Sequence, residues 1–426
     1  MLPTLEKGTV KVMRYFFIFI LTFLILSLPF NQVFGGNREE LGRGEKLRVL
    51  VDKVLMQANG WVMTENHVKQ IAEAGFNVVS PRAGGDDMHQ VRLISQYAQK
   101  YGLYHIPWMR GTLATKQGPR LVWSNGQEQP IYSPNSDELW DWMSRMIIQY
   151  AKISVETPSL MGVFLDFENY SMGMDFVRKI GNAYPLSYDD KILKEFATEK
   201  NIVLPNLKLA ERHDWLQKKG LHQDFSDFQI ANWRTQAKKL RNAIDSINPQ
   251  FQFCVYPIGD MLFLQNAVFQ EWATGRAPLI VADAITYGRP SKYMLHKPAL
   301  MSNLERLERN MGTIPKGISN ILYMGGIDPV VNFADPEFSG RNAVMISEAS
   351  NGYWVFYEGP EIGKDHEQYW KWFTQANLAI KNGSWNFWQE ERETRDPVLD
   401  RSETSRFKEW MLESARDVKR FFTNHR

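Results

Sequence analysis

A single cysteine, Cys254, occurs in the 426 residues. That excludes an intrachain disulfide and any metal site built from several thiolates. The eight histidines are scattered, with no H-E-x-x-H motif and no closely spaced pair, so the usual histidine route to a catalytic zinc is missing too. His67, His89 and His105 are expected on surfaces or bonded to backbone groups. No G-x-S-x-G elbow is present, which disfavours a serine hydrolase of the usual α/β type. Neither sign of charge dominates, 50 Lys and Arg against 48 Asp and Glu, and bulk electrostatics therefore provide no pull toward nucleic acid. No cofactor is implied.

What the chain has in quantity is apolar and aromatic material: 44% of residues are hydrophobic, with 14 Trp, 16 Tyr and 25 Phe. This is enough for a large core and argues against disorder. Flat rings with polar tips also suit the apolar faces of sugars, although core packing is their default use. At the N-terminus, Lys7, Lys11 and Arg14 precede an apolar stretch from Tyr15 to Phe30, followed by Val33-Phe34-Gly35. This pattern reads as a secretory signal over residues 1–36. An uncleaved anchor is the alternative, and the membrane would then be touched only through this segment. The stretch is short of the roughly 20 apolar residues that a spanning helix prefers. Without it, basic and acidic residues balance at 47 each. A secreted chain without a disulfide framework fits a bacterial periplasmic or surface protein.

From about residue 47, eight short runs rich in β-branched and aromatic residues alternate with stretches of helical period: Arg48–Met56, Asn77–Pro81, Tyr104–Met109, Gly162–Phe167, Gln252–Pro257, Leu279–Ala284, Ile318–Met324 and Gly352–Tyr357. Helix starts are marked by Thr64, by Asp86-Asp87 and by Asp335-Pro336. The repeated βα unit predicts a (β/α)8 barrel, an α/β fold, over residues 45–385. A doubly wound open sheet is the alternative, but no G-x-G-x-x-G follows the first run. The connection from Asn169 to about Asp224 is long enough to be a structured insertion over the barrel mouth, with helical patterns at Tyr188–Lys200 and Ala210–Lys219. Residues 386–426 read as a helical tail, with an amphipathic helix over Ser405–Phe422.

In such a barrel the chemistry belongs at the carboxyl ends of the strands. The fourth run ends Asp166-Phe167-Glu168, which places two carboxylates on one side of an extended strand. The charge of one raises the proton affinity of the other, as a general acid requires; a loop cap or an ion pair with Arg82 or Arg110 is the structural alternative. Other ends add Asp260, Asp283, Asp328 and Glu358. Asp283 and Glu358 are candidates for a second catalytic carboxylate. Arg82 and Arg110 would orient the acids or hold a charged substrate. Trp108, Tyr256, Tyr287, Trp354 and Tyr357 would form a stacking platform, with Asp328 beside them.

With Phe164-Leu165-Asp166-Phe167-Glu168-Asn169-Tyr170 and Gly352-Tyr353-Trp354-Val355-Phe356-Tyr357-Glu358 in view, the chain resembles secreted bacterial glycoside-hydrolase-like (β/α)8 barrel proteins. The Asp-x-Glu ending is also similar to the end of the chitinase-type motif D-x-x-D-x-D-x-E, but Met161 and Phe164 stand where its first two aspartates would fall. Phe167 occupies the place of the asparagine that precedes the strand-four glutamate in many retaining barrel glycosidases. The reading is an extracytoplasmic glycoside hydrolase acting on an oligo- or polysaccharide, with Glu168 as proton donor, Asp166 beside it, and Asp283 or Glu358 as nucleophile or base. A non-catalytic carbohydrate-binding barrel is the alternative. N-terminal sequencing of the native protein is expected to return a start near Gly36 or Asn37; Met1 or Met13 recovered from a membrane fraction would make the segment an anchor.

Overall fold

A computed structural model describes residues 38–167, 186–257, 261–291, 294–329 and 334–389. The strands run in chain order as β1 (Leu47–Asp52), β2 (Val78–Pro81), β3 (Tyr104–His105), β4 (Trp108–Arg110), β5 (Arg120–Val122), β6 (Glu128–Tyr132), β7 (Gly162–Asp166), β8 (Gln252–Tyr256), β9 (Leu279–Asp283), β10 (Ile321–Ile327) and β11 (Gly352–Tyr357). Nine of them form one parallel sheet, ordered β3-β2-β1-β11-β10-β9-β8-β7-β4.

The two ends of that order are halves of one extended segment, 104–110. Tyr104 and His105 pair with β2, whereas Trp108, Met109 and Arg110 pair with β7. The segment therefore joins both edges and the sheet closes into a barrel of eight staves. Its amides alternate between neighbours: Tyr104 and Ile106 donate to Asn77 and Val79 on the β2 side, and His105 donates to Ser159 on the other. Pro107 comes next on the β7 side and has no N–H to give, which divides the stave in two. Its carbonyl still accepts from the Phe164 amide at 2.9 Å.

Alternation along the strands sorts the apolar residues into two cores. Val49, Val51, Phe164, Cys254, Tyr256, Ile280, Ala282, Met324, Trp354 and Phe356 fill the barrel interior, and Leu41, from the segment before β1, joins them at the lower end. Leu50, Val163, Leu165, Val255, Val281, Tyr353, Val355 and Tyr357 face the surrounding helices. The glycine at the start of β11 is required: Gly352 has φ +146°, and a Cβ there would lie 2.1 Å from the Leu47 carbonyl oxygen.

The expected helix starts are present. Thr64 caps Glu65–Glu73, Asp87 caps Met88–Lys100, and Asp335 caps a helix with proline in its first turn. The insertion carries helices at Asp190–Glu199 and Arg212–Lys218. It packs against a feature that the pattern of runs did not show, the antiparallel hairpin β5–β6, whose Val122 joins Tyr188, Phe196, Leu216 and Phe225 in a small separate core. Asn125-Gly126, with Gly126 at φ +83°, is the hairpin signal that marks it. The expected signal segment, the helix at 405–422 and Glu168 lie outside the described residues. No described helix is long and apolar enough to cross a membrane.

Asp52, at the end of β1, is fully buried and faces the helices rather than the barrel interior. Its two oxygens accept from the amides of Leu55 and Met56, both at 3.0 Å. Burial pushes its carboxyl up to about 7, against the pull of those amides. The folded state therefore binds this proton more tightly than the unfolded chain does. The stabilisation is complete below about pH 4 and disappears as pH rises through about 7. Asp52→Asn abolishes that dependence. Denaturation midpoints should shift in favour of the variant between pH 4 and pH 8, by at most about 4 kcal/mol; parallel profiles for the two proteins would show that Asp52 does not titrate in this range.

Candidate active site

The carboxyl ends of β1, β2, β4, β7 and β11 bring five charged side chains together. Asp166, the last residue of β7, is fully buried, and its Oδ2 lies 3.7 Å from Arg82 Nη1 and 3.6 Å from Arg110 Nη2. Glu358 follows β11 and places Oε2 3.6 Å from Arg82 Nη2 and 3.4 Å from Lys53 Nζ. Arg82 therefore stands between two carboxylates that belong to the fourth and eighth staves in chain order. Its guanidinium is clamped 4.0 Å above the Trp108 ring and 4.6 Å from that of Phe356, a cation–π arrangement that holds a planar cation well and a lysine poorly. Arg110 also lies over Trp108, at 5.6 Å.

Behind this charged group is an aromatic floor. Trp354 is fully buried, 4.7 Å from Phe356, 5.0 Å from Tyr256 and 5.4 Å from Phe164, centroid to centroid, and its Nε1 donates to the Asp283 carbonyl at 3.1 Å. Tyr287 is half-buried at the rim and donates its hydroxyl to that of Tyr256 at 2.5 Å. Gly326 makes room for this packing, because a Cβ there would meet Tyr287 and Trp354 within 2.9 Å. Asp328 is almost entirely buried at the end of β10, its amide donating to the Tyr287 carbonyl at 2.9 Å.

Three expectations change. The Asp283 side chain points out of the barrel, accepting from Asn310 Nδ2 at 2.9 Å, from the Tyr323 hydroxyl and from the Ile285 amide at 3.0 Å. It ties β9 to β10 and to the helix His296–Met311, and is not a second carboxylate of the mouth. Tyr357 also faces outward. Its hydroxyl bonds His366 Nδ1 at 2.6 Å and its ring packs on Trp370 and Phe373, so it offers no stacking surface. Trp354 and Tyr256 do face inward, but both are sealed beneath the mouth. Trp354 and Tyr357 are three residues apart on one strand, so alternation alone puts them on opposite faces. Two participants escaped the sequence reading. Lys53 follows the strand end at Asp52 and was hidden inside a run carried on to Met56; Phe356 lies between the two rings that were chosen.

A groove of about 1030 Å³ opens at the other end of the barrel, between the start of β1 and the end of the helix His366–Asn382, lined by Lys46, Arg48, Tyr101, Leu378 and Trp385 among others. It lies among strand starts, where a barrel carries stability rather than chemistry.

No family model matches the sequence, and no curated protein is significantly similar to it. Solved structures share the fold. A β-galactosidase from the psychrophilic Marinomonas ef1 is 11% identical with a TM-score of 0.55, over 79% of this chain and 60% of that one. A β-galactosidase from the Antarctic haloarchaeon Halorubrum lacusprofundi is 10% identical with a TM-score of 0.54, over 79% and 58%. One from Bacillus circulans sp. alkalophilus is 12% identical with a TM-score of 0.51, over 84% and 58%. The chain thus spans about three-fifths of the length of these proteins. Its fold is that of the glycoside-hydrolase (β/α)8 barrels.

Since Trp354 is core, Trp354→Ala should lower stability by about 3–5 kcal/mol, the usual cost of removing a buried large ring, as read from chemical denaturation. An unchanged midpoint would show that the ring is not part of the packed floor.

Proposed function

We propose that the protein is an extracytoplasmic glycoside hydrolase of oligo- or polysaccharides that uses carboxylates at the barrel mouth. The observation that carries this reading is the convergence of Asp166 and Glu358 on the single guanidinium of Arg82. Acid/base cleavage of a glycosidic bond needs two carboxylates at the carboxyl end of the barrel; Glu358 is one of them, and Asp166 marks the strand end after which the second, Glu168, follows in the sequence. Asp166 and Glu358 both stand in ion pairs, a condition that suits a nucleophile or base better than a proton donor. Glu358 takes the nucleophile or base role here, and Asp166 orients Arg82 and Arg110. The proton donor is Glu168, two residues beyond an inward-facing Asp166. That assignment is supported by the period of the strand, since Glu168 itself lies outside the described residues. The likeness to β-galactosidases supports a barrel that can house such chemistry; the sugar and linkage are a matter for a substrate panel.

If Glu168 is the acid, Glu168→Gln should lower turnover on natural substrates by about 10²–10⁴-fold with binding retained. The loss should be much smaller on activated aryl glycosides, whose leaving group departs without a proton. An equal loss on both substrate types would move the acid role elsewhere. Binding of saccharides with no product from wild-type protein would identify a carbohydrate-binding barrel instead.

A further inference from the structure

Most of the rings at the mouth have no free face to offer a sugar. Trp354, Tyr256 and Phe356 are buried, Tyr357 faces the helices, and Trp108 lies beneath the Arg82 guanidinium. Trp61 is different. It is 46% exposed, and among the described residues no tryptophan, tyrosine or phenylalanine is more exposed. No ring or cation among them stacks on it. It lies in the connection from β1 to the helix Glu65–Glu73, a strand-to-helix connection of the kind that builds a barrel mouth. That connection begins at Lys53, whose Nζ is 3.4 Å from Glu358 Oε2. One helical turn leads from Lys53 to Met56, and the Trp61 amide donates to the Met56 carbonyl at 2.7 Å, which keeps the Trp61 backbone within about 12 Å of that of Lys53.

The ring is held out by its loop. Met56 and Met63, on either side of it, are buried in the core. The Val62 amide donates to the Asn59 carbonyl at 3.3 Å, and Asn59 Nδ2 donates back to the Val62 carbonyl at 3.4 Å. The two residues inside this turn, Gly60 and Trp61, have φ of +65° and +66°. Glycine takes that conformation freely, whereas a bulky side chain does so at a cost. An indole exposed at the tip offsets little of that cost by packing, so the fold itself gives no reason for tryptophan at this position. A ring fixed in place and open to solvent suits stacking on the apolar face of a sugar, because little freedom is left to lose on binding.

Resting on the glycosidase reading, we propose that Trp61 is a sugar-stacking platform at the rim of the mouth, which takes a pyranose unit beyond those next to the scissile bond and so favours longer oligosaccharides. The full-length protein is tested by calorimetry, with product release followed alongside, on β-linked gluco-, galacto-, manno- and xylo-oligosaccharides of increasing length. In the series that the wild-type protein binds, Trp61→Gly should weaken affinity for the longer members by about tenfold and flatten the rise of affinity with length. On substrates that are turned over, the loss should fall on KM more than on kcat. Trp61→Phe keeps a ring and should restore most of the affinity. Because glycine fits this backbone, Trp61→Gly should not lower the denaturation midpoint. A length profile in Trp61→Gly equal to that of the wild type overturns the platform, and continued product release then keeps the glycosidase reading. A lowered midpoint in Trp61→Gly, with no recovery of binding in Trp61→Phe, also overturns it and makes the indole a structural contact. Length-dependent binding that is lost in Trp61→Gly, with no product from any series, keeps the platform and removes the hydrolase; no binding of any series by the wild-type protein removes both.

Discussion

Closure of the barrel through the segment 104–110 is the constraint on which the rest depends. One stave must satisfy β2 on one side and β7 on the other, and it does so by sending successive amides to alternate neighbours. That pairing places Arg110 level with Asp166 and turns Trp108 inward beside them. Without closure the strand-end charges would lie along an open edge, and the arginines of β2 and β4 would not meet carboxylates from β7 and β11 across a common mouth.

Within the closed ring, Arg82 organises the charge. Its position between Trp108 and Phe356 limits its freedom before any ion pair is counted, and a guanidinium immobilised in this way loses less entropy in holding two carboxylates. Asp166 has no exposed surface. Taking it out of water is costly and is tolerated only against cations. The aromatic floor of Trp354, Tyr256, Phe164 and Phe356 contributes the low-dielectric backing that makes those charges matter to one another.

The sequence and the structure part company at the level of single side-chain directions. The eight runs correspond to eight staves, and Thr64, Asp87 and Asp335 cap helices where their residue types indicate, because capping and period are local properties of backbone geometry. Asp283 shows where local reading stops. It ends a strand at the mouth like Asp166, yet its phase on β9 turns it toward Asn310 and Tyr323. Lys53 was missed for a related reason: a helix begins at Val54 immediately after the strand, so the apolar pattern runs on and conceals the strand end.

By itself, the sequence determined the alternation of strands and helices, the barrel class, and the strand ends on which acids, arginines and rings would be found. These follow from hydrophobic period and turn chemistry, which act over a few residues. The tertiary structure alone decided which of those groups share the mouth. It sealed Trp354 and Tyr256 in the floor, turned Tyr357 and Asp283 to the helices, and joined Lys53 to Glu358 and Arg82 to both Asp166 and Glu358. Facing is set by the phase of each strand, and the partners are distant in the chain but adjacent around a closed ring, a relation that no local pattern encodes.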